Sequence, residues 1–276
     1  MNAFRHLLMA AGHQPPIGTS LLSASPIVAE AMGHAGFDWL LLDTVHTPLD
    51  MMEVMHMLQA LAATKAIPVV RVPWDDAVTV KRVLDAGATT VMFPFVSSAD
   101  DARRAVAATR YPPEGMRSMS LMSRASKFGT VPHHPKTANQ SIGVIVQLET
   151  PKAIRALEEV VAIDGVDAVF IGPAELSSSM GHAGQPAHPA VLDLMAQTAQ
   201  RCRAVGKPIG TVGGTPEVVA QYRAMGFNFI AVGSDLGLLM RGAQAAVQAL
   251  RTPDADAEVH VHSLTGGTRT EAETGY

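Results

Sequence analysis

The sequence predicts an α/β protein of one domain, a single (β/α)8 barrel, and three observations carry that prediction. A unit recurs four times along the chain: a helical stretch, a glycine, one or two spacers, then a nearly continuous apolar run. Those runs do not alternate polar with apolar residues, so they are covered on both faces, as parallel strands are. The length of 276 residues accommodates a barrel of about 250 with a short remainder.

The first strand is read at IGTSLL from Ile17, and a helix then leads to Gly36-Phe37-Asp38 and the strand WLLLD. A glycine there suits the left-handed position that ends a helix, so the strand can start at once. The next helix contains MMEVMHM, where Met51, Met55 and Leu58 repeat at helical spacing; the methionines fill core, and His56 is an ordinary helix residue. IPVVRV from Ile67 is the third strand, and Gly87-Ala88-Thr89 introduces TVMFPFV, the fourth. After the helix SADDARRAVAATR comes a long irregular stretch, Tyr111 to Asn139, of the kind that forms functional loops or lids. IGVIVQLE from Ile142, AVFIG after Gly165-Val166-Asp167, KPIGTV from Lys207 and FIAVG after Gly226-Phe227-Asn228 complete eight strands. Val191, Leu194 and Met195 mark the apolar face of a helix between the sixth and seventh. The barrel domain is thus 1–251, and the polar run Thr252 to Tyr276, including His260 and His262, is expected to be a mobile tail.

Composition narrows the function. Hydrophobic residues make up 47% and charged residues 17%, which predicts a large core and argues against disorder. The net charge of −4 comes without a dense basic face, so nucleic acid is not an expected partner. The lone Cys202, in a helical context, excludes an internal disulfide or a Cys-rich metal site and fits a reducing compartment. No apolar run reaches the roughly 18 residues of a membrane span, and the apolar stretch in MNAFRHLLMAAG is shorter than a signal peptide's. A cytoplasmic enzyme without membrane contact is expected.

In such barrels chemistry belongs to the C-terminal ends of the strands. The second strand ends LLLDTVH, presenting Asp43 and His46; the third presents Arg71; the fifth presents Gln147 and Glu149; the sixth presents Glu175. Two carboxylates can hold a hard divalent cation and leave other positions to water or substrate, which suits Mg²⁺ or Mn²⁺. A cation and Arg71 together would stabilise the oxyanion formed when a 2-oxo acid becomes an enolate. His46, oriented by Asp43, is the candidate base. Backbone N–H groups in the turn Gly172, Pro173, Ala174 and Glu175 could hold the substrate carboxylate. Arg124, in the irregular stretch, is a second cation expected to reach the mouth and meet a distal carboxylate or aldehyde.

The segments GFDWLLLDTVHTPLD, PVVRVPWDD, ATRYPPEGMRS, SRASKFG, VQLET and VFIGPAELSSSMGHAGQPAHPAV, in that order from about Gly18 to Arg251, resemble the HpcH/HpaI aldolase family. That family comprises the 4-hydroxy-2-oxoheptanedioate and 2-dehydro-3-deoxyglucarate aldolases, class II metal-dependent pyruvate aldolases. The resemblance implies a TIM barrel of the phosphoenolpyruvate/pyruvate type, with its C-terminal helix exchanged between subunits of a homo-oligomer, commonly a hexamer. It implies reversible cleavage of a 4-hydroxy-2-oxo acid to pyruvate and an aldehyde with Mg²⁺, Mn²⁺ or Co²⁺, in aromatic-compound or sugar-acid catabolism. By position, Glu149 and Glu175 match the metal ligands, Arg71 the enolate-stabilising arginine, and His46 with Asp43 the base pair. Gln147 matches a residue lining the site, and the 172–175 turn the pyruvate-carboxylate backbone. Lys65, Lys152 and Lys207 fall in loops or helices, which agrees with metal rather than Schiff-base chemistry.

Two positions depart from the family pattern: Val45 replaces a glutamate before the histidine, and Glu175 replaces an aspartate. Both leave aldehyde specificity open. An oxaloacetate-type decarboxylase on the same site is an alternative. A further one is a non-catalytic barrel binding an anion at the Gly213-Gly214 and Gly233-Ser234 turns.

Overall fold

The computed structural model describes residues 2–12 and 14–251. The strands are β1 (Ile17–Leu21), β2 (Trp39–Asp43), β3 (Ile67–Arg71), β4 (Thr90–Phe93), β5 (Gly143–Gln147), β6 (Ala168–Ile171), β7 (Ile209–Gly213) and β8 (Phe229–Ser234). They pair in parallel in sequence order, and β8 closes on β1, which makes the predicted eight-stranded barrel. The helices are α1 (Ala3–Ala10), α2 (Pro26–His34), α3 (Met51–Leu61), α4 (Ala77–Asp85), α5 (Ala99–Thr109), α6 (His134–Ser141), α7 (Pro151–Arg155), α8 (Leu157–Val161), α9 (Pro173–Ser179), α10 (Pro189–Ala204), α11 (Pro216–Met225) and α12 (Asp235–Arg251).

The four glycines read as helix stops, Gly36, Gly87, Gly165 and Gly226, have φ between 98° and 105°. L-side chains rarely adopt that conformation, so each glycine lets a helix turn directly into β2, β4, β6 or β8.

Apolar side chains separate into two populations. Leu40, Leu42, Val70, Val91, Val144, Val146 and Val169 face the helices, in the layer between strands and helices. Trp39, Leu41, Val69, Met92, Ile145, Phe170, Phe229 and Ala231 fill the barrel interior. Gly18 and Gly210 make room there, since a Cβ at either would collide with the ring of Trp39 or Phe229. Phe4 of α1 closes the bottom of this inner core, its ring meeting Trp39 at 6.0 Å and Phe229 at 5.3 Å in edge contacts. Asn2 caps α1 and donates to Thr89 O and Ser141 O, fixing this plug to the start of β4 and the end of α6.

The irregular stretch predicted for 111–139 is more ordered than expected. It contains a 3-10 turn at Arg124–Ser126, and α6 begins inside it at His134. HPKTANQS buries only Ala138, so it shows no apolar periodicity to read.

Contacts divide the chain into a unit ending at Leu239 and a second starting at Met240. The first holds the barrel. The described part of the second is the remainder of α12, where Met240, Val247 and Leu250 are exposed. The tail expected for 252–276, with His260 and His262, lies outside the described residues. Among the described residues no helix is long and apolar enough to cross a membrane.

Candidate active site

Strand geometry explains why the chemistry collects at one end. Side chains two residues apart point the same way, so the inward rows Trp39, Leu41 and Val69, Ile145, Phe170 continue to Asp43, Arg71, Gln147 and Gly172. These residues form the top layer of the barrel interior, at its C-terminal mouth. Asp43 lies directly beside Arg71 in the register of β2 and β3.

That register brings together a bidentate pair. Arg71 Nε donates to Asp43 Oδ1 at 3.0 Å and Nη2 to Oδ2 at 2.6 Å. Nη1 reaches Gln147 Oε1 at 3.5 Å, so the guanidinium is held from two strands. Asp43 is 1% exposed. Burial acts to raise its carboxyl, but the Arg71 hydrogen bonds and charge, the Val45 N–H and nearby His46 outweigh burial and hold it below the ordinary value.

This arrangement corrects the expectation that Asp43 orients His46. Both Asp43 oxygens are taken, by Arg71 and by the Val45 N–H at 2.9 Å, and no hydrogen bond joins Asp43 to His46 among the described residues. His46 Nε2 instead lies 3.9 Å from Glu175 Oε1, with the imidazole 60% exposed. Val45, which the resemblance set in place of a glutamate, contributes its backbone N–H. The loop is pinned by Thr44 Oγ1 donating to Arg71 O at 2.6 Å and by Thr47 Oγ1 donating to Asp43 O.

Glu149 and Glu175 form the acidic side of the mouth. Glu149 is 5% exposed, and Oε2 accepts the Phe95 N–H at 3.0 Å. Burial pushes its carboxyl up to about 7; the Phe95 hydrogen bond and Arg71 pull it down, and Glu175 adds repulsion. Glu175 stands in the first turn of α9. Gly172 makes space for it, because a Cβ there would collide with Glu175 Oε2. The first main-chain bond of α9 runs from Leu176 N to Gly172 O, so the N–H groups of Ala174 and Glu175 precede the helical ladder.

This donor set fits a divalent cation. Two mutually repelling carboxylates, one desolvated, are relieved by positive charge between them, and all-oxygen ligation suits a hard ion. Among the described residues no three His, Cys, Asp or Glu side chains converge on one point, so Glu149 and Glu175 would leave the remaining ligand positions to water and substrate. A cation held by Glu149 would need that carboxyl ionised, so its affinity should rise by about tenfold per pH unit as pH approaches 7 and level off above it. Mn²⁺ titration calorimetry from pH 5.5 to 8.5 measures this, and a flat affinity across that range would contradict it.

Arg124 does not reach the mouth. Its guanidinium donates to Ala86 O at 3.0 Å and Leu58 O at 3.2 Å, the carbonyls that end α4 and α3. Unpaired carbonyls at helix C-termini attract a cation, and these ends feed strands at the face opposite the mouth. Lys207 lies on that same side, donating to Val166 O. Sequence reasoning also missed Phe95, whose contribution is a backbone N–H that its side-chain type does not signal. Trp74 was missed too; it is exposed and its ring lies against Phe95 at 5.2 Å.

Paired carboxylates, a clamped arginine and a histidine at the mouth of a closed parallel barrel can together stabilise negative charge that develops next to a carbonyl group. The model of the HpcH/HpaI aldolase/citrate lyase family matches residues 17–242, and the chain belongs to that family. Over 236 residues it is 48% identical to the 2-dehydro-3,6-dideoxy-6-sulfogluconate aldolase of Pseudomonas putida, covering 86% of this chain and 92% of that one. It is 44% identical over 245 residues to the 4-hydroxy-2-oxo-heptane-1,7-dioate aldolase of Klebsiella pneumoniae subsp. pneumoniae, covering 88% and 92%. The crystal structure of a family member from Burkholderia cenocepacia J2315 superimposes with a TM-score of 0.88 at 39% identity, covering 91% of this chain and all of that one. The protein is accordingly a 2-oxo acid aldolase, a lyase.

Proposed function

We propose that the protein is a divalent-metal-dependent aldolase that reversibly cleaves a 4-hydroxy-2-oxo acid into pyruvate, or a related 2-oxo acid, and an aldehyde. The observation that carries this reading is the gathering, at one mouth, of the Glu149 and Glu175 carboxylates beside the Asp43-clamped Arg71.

Glu149 and Glu175 would hold a divalent cation such as Mg²⁺, Mn²⁺ or Co²⁺, which would supply positive charge favouring the enolate of a bound 2-oxo acid. Arg71 adds a second, fixed positive charge; Asp43 and Gln147 hold its guanidinium, so little reorganisation is needed as the oxyanion develops. Gly172 and Pro173 open α9, and the N–H groups of Ala174 and Glu175 offer donors to the substrate carboxylate. His46, exposed beside Glu175, takes the proton from the C4 hydroxyl as the C3–C4 bond breaks and its electron pair passes to the enolate. Return of that proton from His46 to C3 then gives the free 2-oxo acid and restores the base. The relatives are named for acids with a second anionic end, a sulfonate in one and a carboxylate in the other. With Arg124 bound to helix ends, no such role is proposed for it within its own barrel.

The test is exchange of pyruvate C3 protons with solvent in the presence of Mg²⁺ or Mn²⁺, together with retro-aldol cleavage coupled to lactate dehydrogenase. His46→Ala should slow exchange by about 10²-fold or more. Loss of CO₂ from oxaloacetate without C3 exchange would replace this reading with decarboxylation. The same proposal includes a homo-oligomer. The exposed Met240, Val247 and Leu250 of α12 form an apolar stripe suited to a second copy, and sedimentation of the full chain tests it.

A further inference from the structure

The segment after β4 carries chemistry that its side chains do not announce. Phe95 has φ of +59°, a left-handed conformation uncommon for any residue with a side chain. Three successive N–H groups fix this turn: Phe95 N donates to Glu149 Oε2 at 3.0 Å, Val96 N to Gln147 O at 3.2 Å, and Ser97 N to Asp101 Oδ2 at 2.9 Å. Ser97 Oγ returns to Phe95 O at 3.3 Å. Outside the turn, the Phe95 ring lies against Trp74, three residues beyond Arg71, at 5.2 Å. Among the described residues the Phe95 N–H is the one hydrogen-bond donor to the Glu149 carboxylate, and Oε1 accepts none.

We propose that Phe95 is a positioning residue: its left-handed backbone aims an N–H at Glu149 Oε2 and so turns Oε1 toward the cation. The inference rests on the proposed reading in which Glu149 is a cation ligand. A buried carboxylate free to rotate would lose orientational entropy on binding; one oxygen already tied to the main chain removes that cost. The strained turn is retained because the ladder to β5 and the ring contact with Trp74 hold it.

Two substitutions remove the ring but differ in backbone preference. Phe95→Gly adopts positive φ readily and keeps the N–H in place; Phe95→Val strongly resists it and draws the N–H away. Mn²⁺ dissociation constants, measured by calorimetry on chelator-stripped protein, should stay within about twofold of the parent for Phe95→Gly and weaken about 5- to 10-fold for Phe95→Val. In a Glu149→Gln background, itself weakened, adding Phe95→Val should change affinity by less than about twofold. Phe95→Val binding like the parent, or Phe95→Gly falling as far as Phe95→Val, would overturn the positioning role alone. Glu149→Gln binding Mn²⁺ like the parent would overturn both it and the ligand assignment. Thermal melts of the stripped proteins separate a folding defect, and Phe95→Gly keeps the test informative if the valine variant unfolds.

Discussion

Arg71→Ala should lower kcat/KM for retro-aldol cleavage by about 10²- to 10³-fold, the usual loss when one preorganised oxyanion donor is removed. Two properties of the site place this among the largest effects expected. Arg71 is nearly buried, at 9% exposure, so its charge acts where water screens little. It is also pre-aligned by the two hydrogen bonds it donates to Asp43, so its contribution is not spent on reorganisation. The same substitution leaves the Asp43 carboxylate buried without its partner, which should cost about 3–5 kcal/mol of stability. Arg71→Lys keeps a charge but cannot reproduce the fork, and should fall between parent and alanine variant in both respects. Steady-state kinetics on Mn²⁺-loaded protein, paired with thermal melts, read the two effects separately. A folded Arg71→Ala enzyme with near-normal turnover would remove Arg71 from the chemistry.

Much of the barrel was legible because its signals are local. A strand buried on both faces must be a continuous apolar run, and a helix that turns directly into it is best stopped by a left-handed residue. Gly36, Gly87, Gly165 and Gly226 all take that conformation. The positions of Asp43, Arg71, Gln147 and Glu149 followed from the same logic, since each closes or just follows a strand. What was not legible depends on neighbours distant in sequence. Phe4 plugs the barrel floor through contacts with Trp39 and Phe229, and nothing in AFRHLLMA distinguishes a plug from a surface helix. Arg124 has its destination set by the carbonyl ends of two helices, 66 and 38 residues earlier in the chain. Asp43 precedes His46 by three residues, which suggested a pair, but strand register sets Arg71 beside it.

Asp43→Asn separates the two partnerships. An asparagine still fits the space but offers no charge and only one acceptor oxygen to the Arg71 fork. If Asp43 acts through Arg71, the variant should lose about 10- to 10²-fold in kcat/KM, and adding it to Arg71→Ala should cost little more, because groups working as one unit are not additive. Combined with His46→Ala, its effect should remain nearly full. An Asp43–His46 pair predicts the reverse: additivity with Arg71→Ala, none with His46→Ala, and a displaced pH–rate profile in the single variant. Stability gives an independent reading. The folded protein holds the Asp43 carboxyl below its ordinary 3.8, so the stability it contributes is present above that value and is lost as pH falls through the lower folded one. Asp43→Asn should therefore destabilise the protein at neutral pH, and the gap from the parent should narrow as acidity passes below 3.8. Melting curves from pH 7 down to the acid limit of folding test the sign. A gap that stays constant would mean that Asp43 shapes the mouth by packing and not by charge.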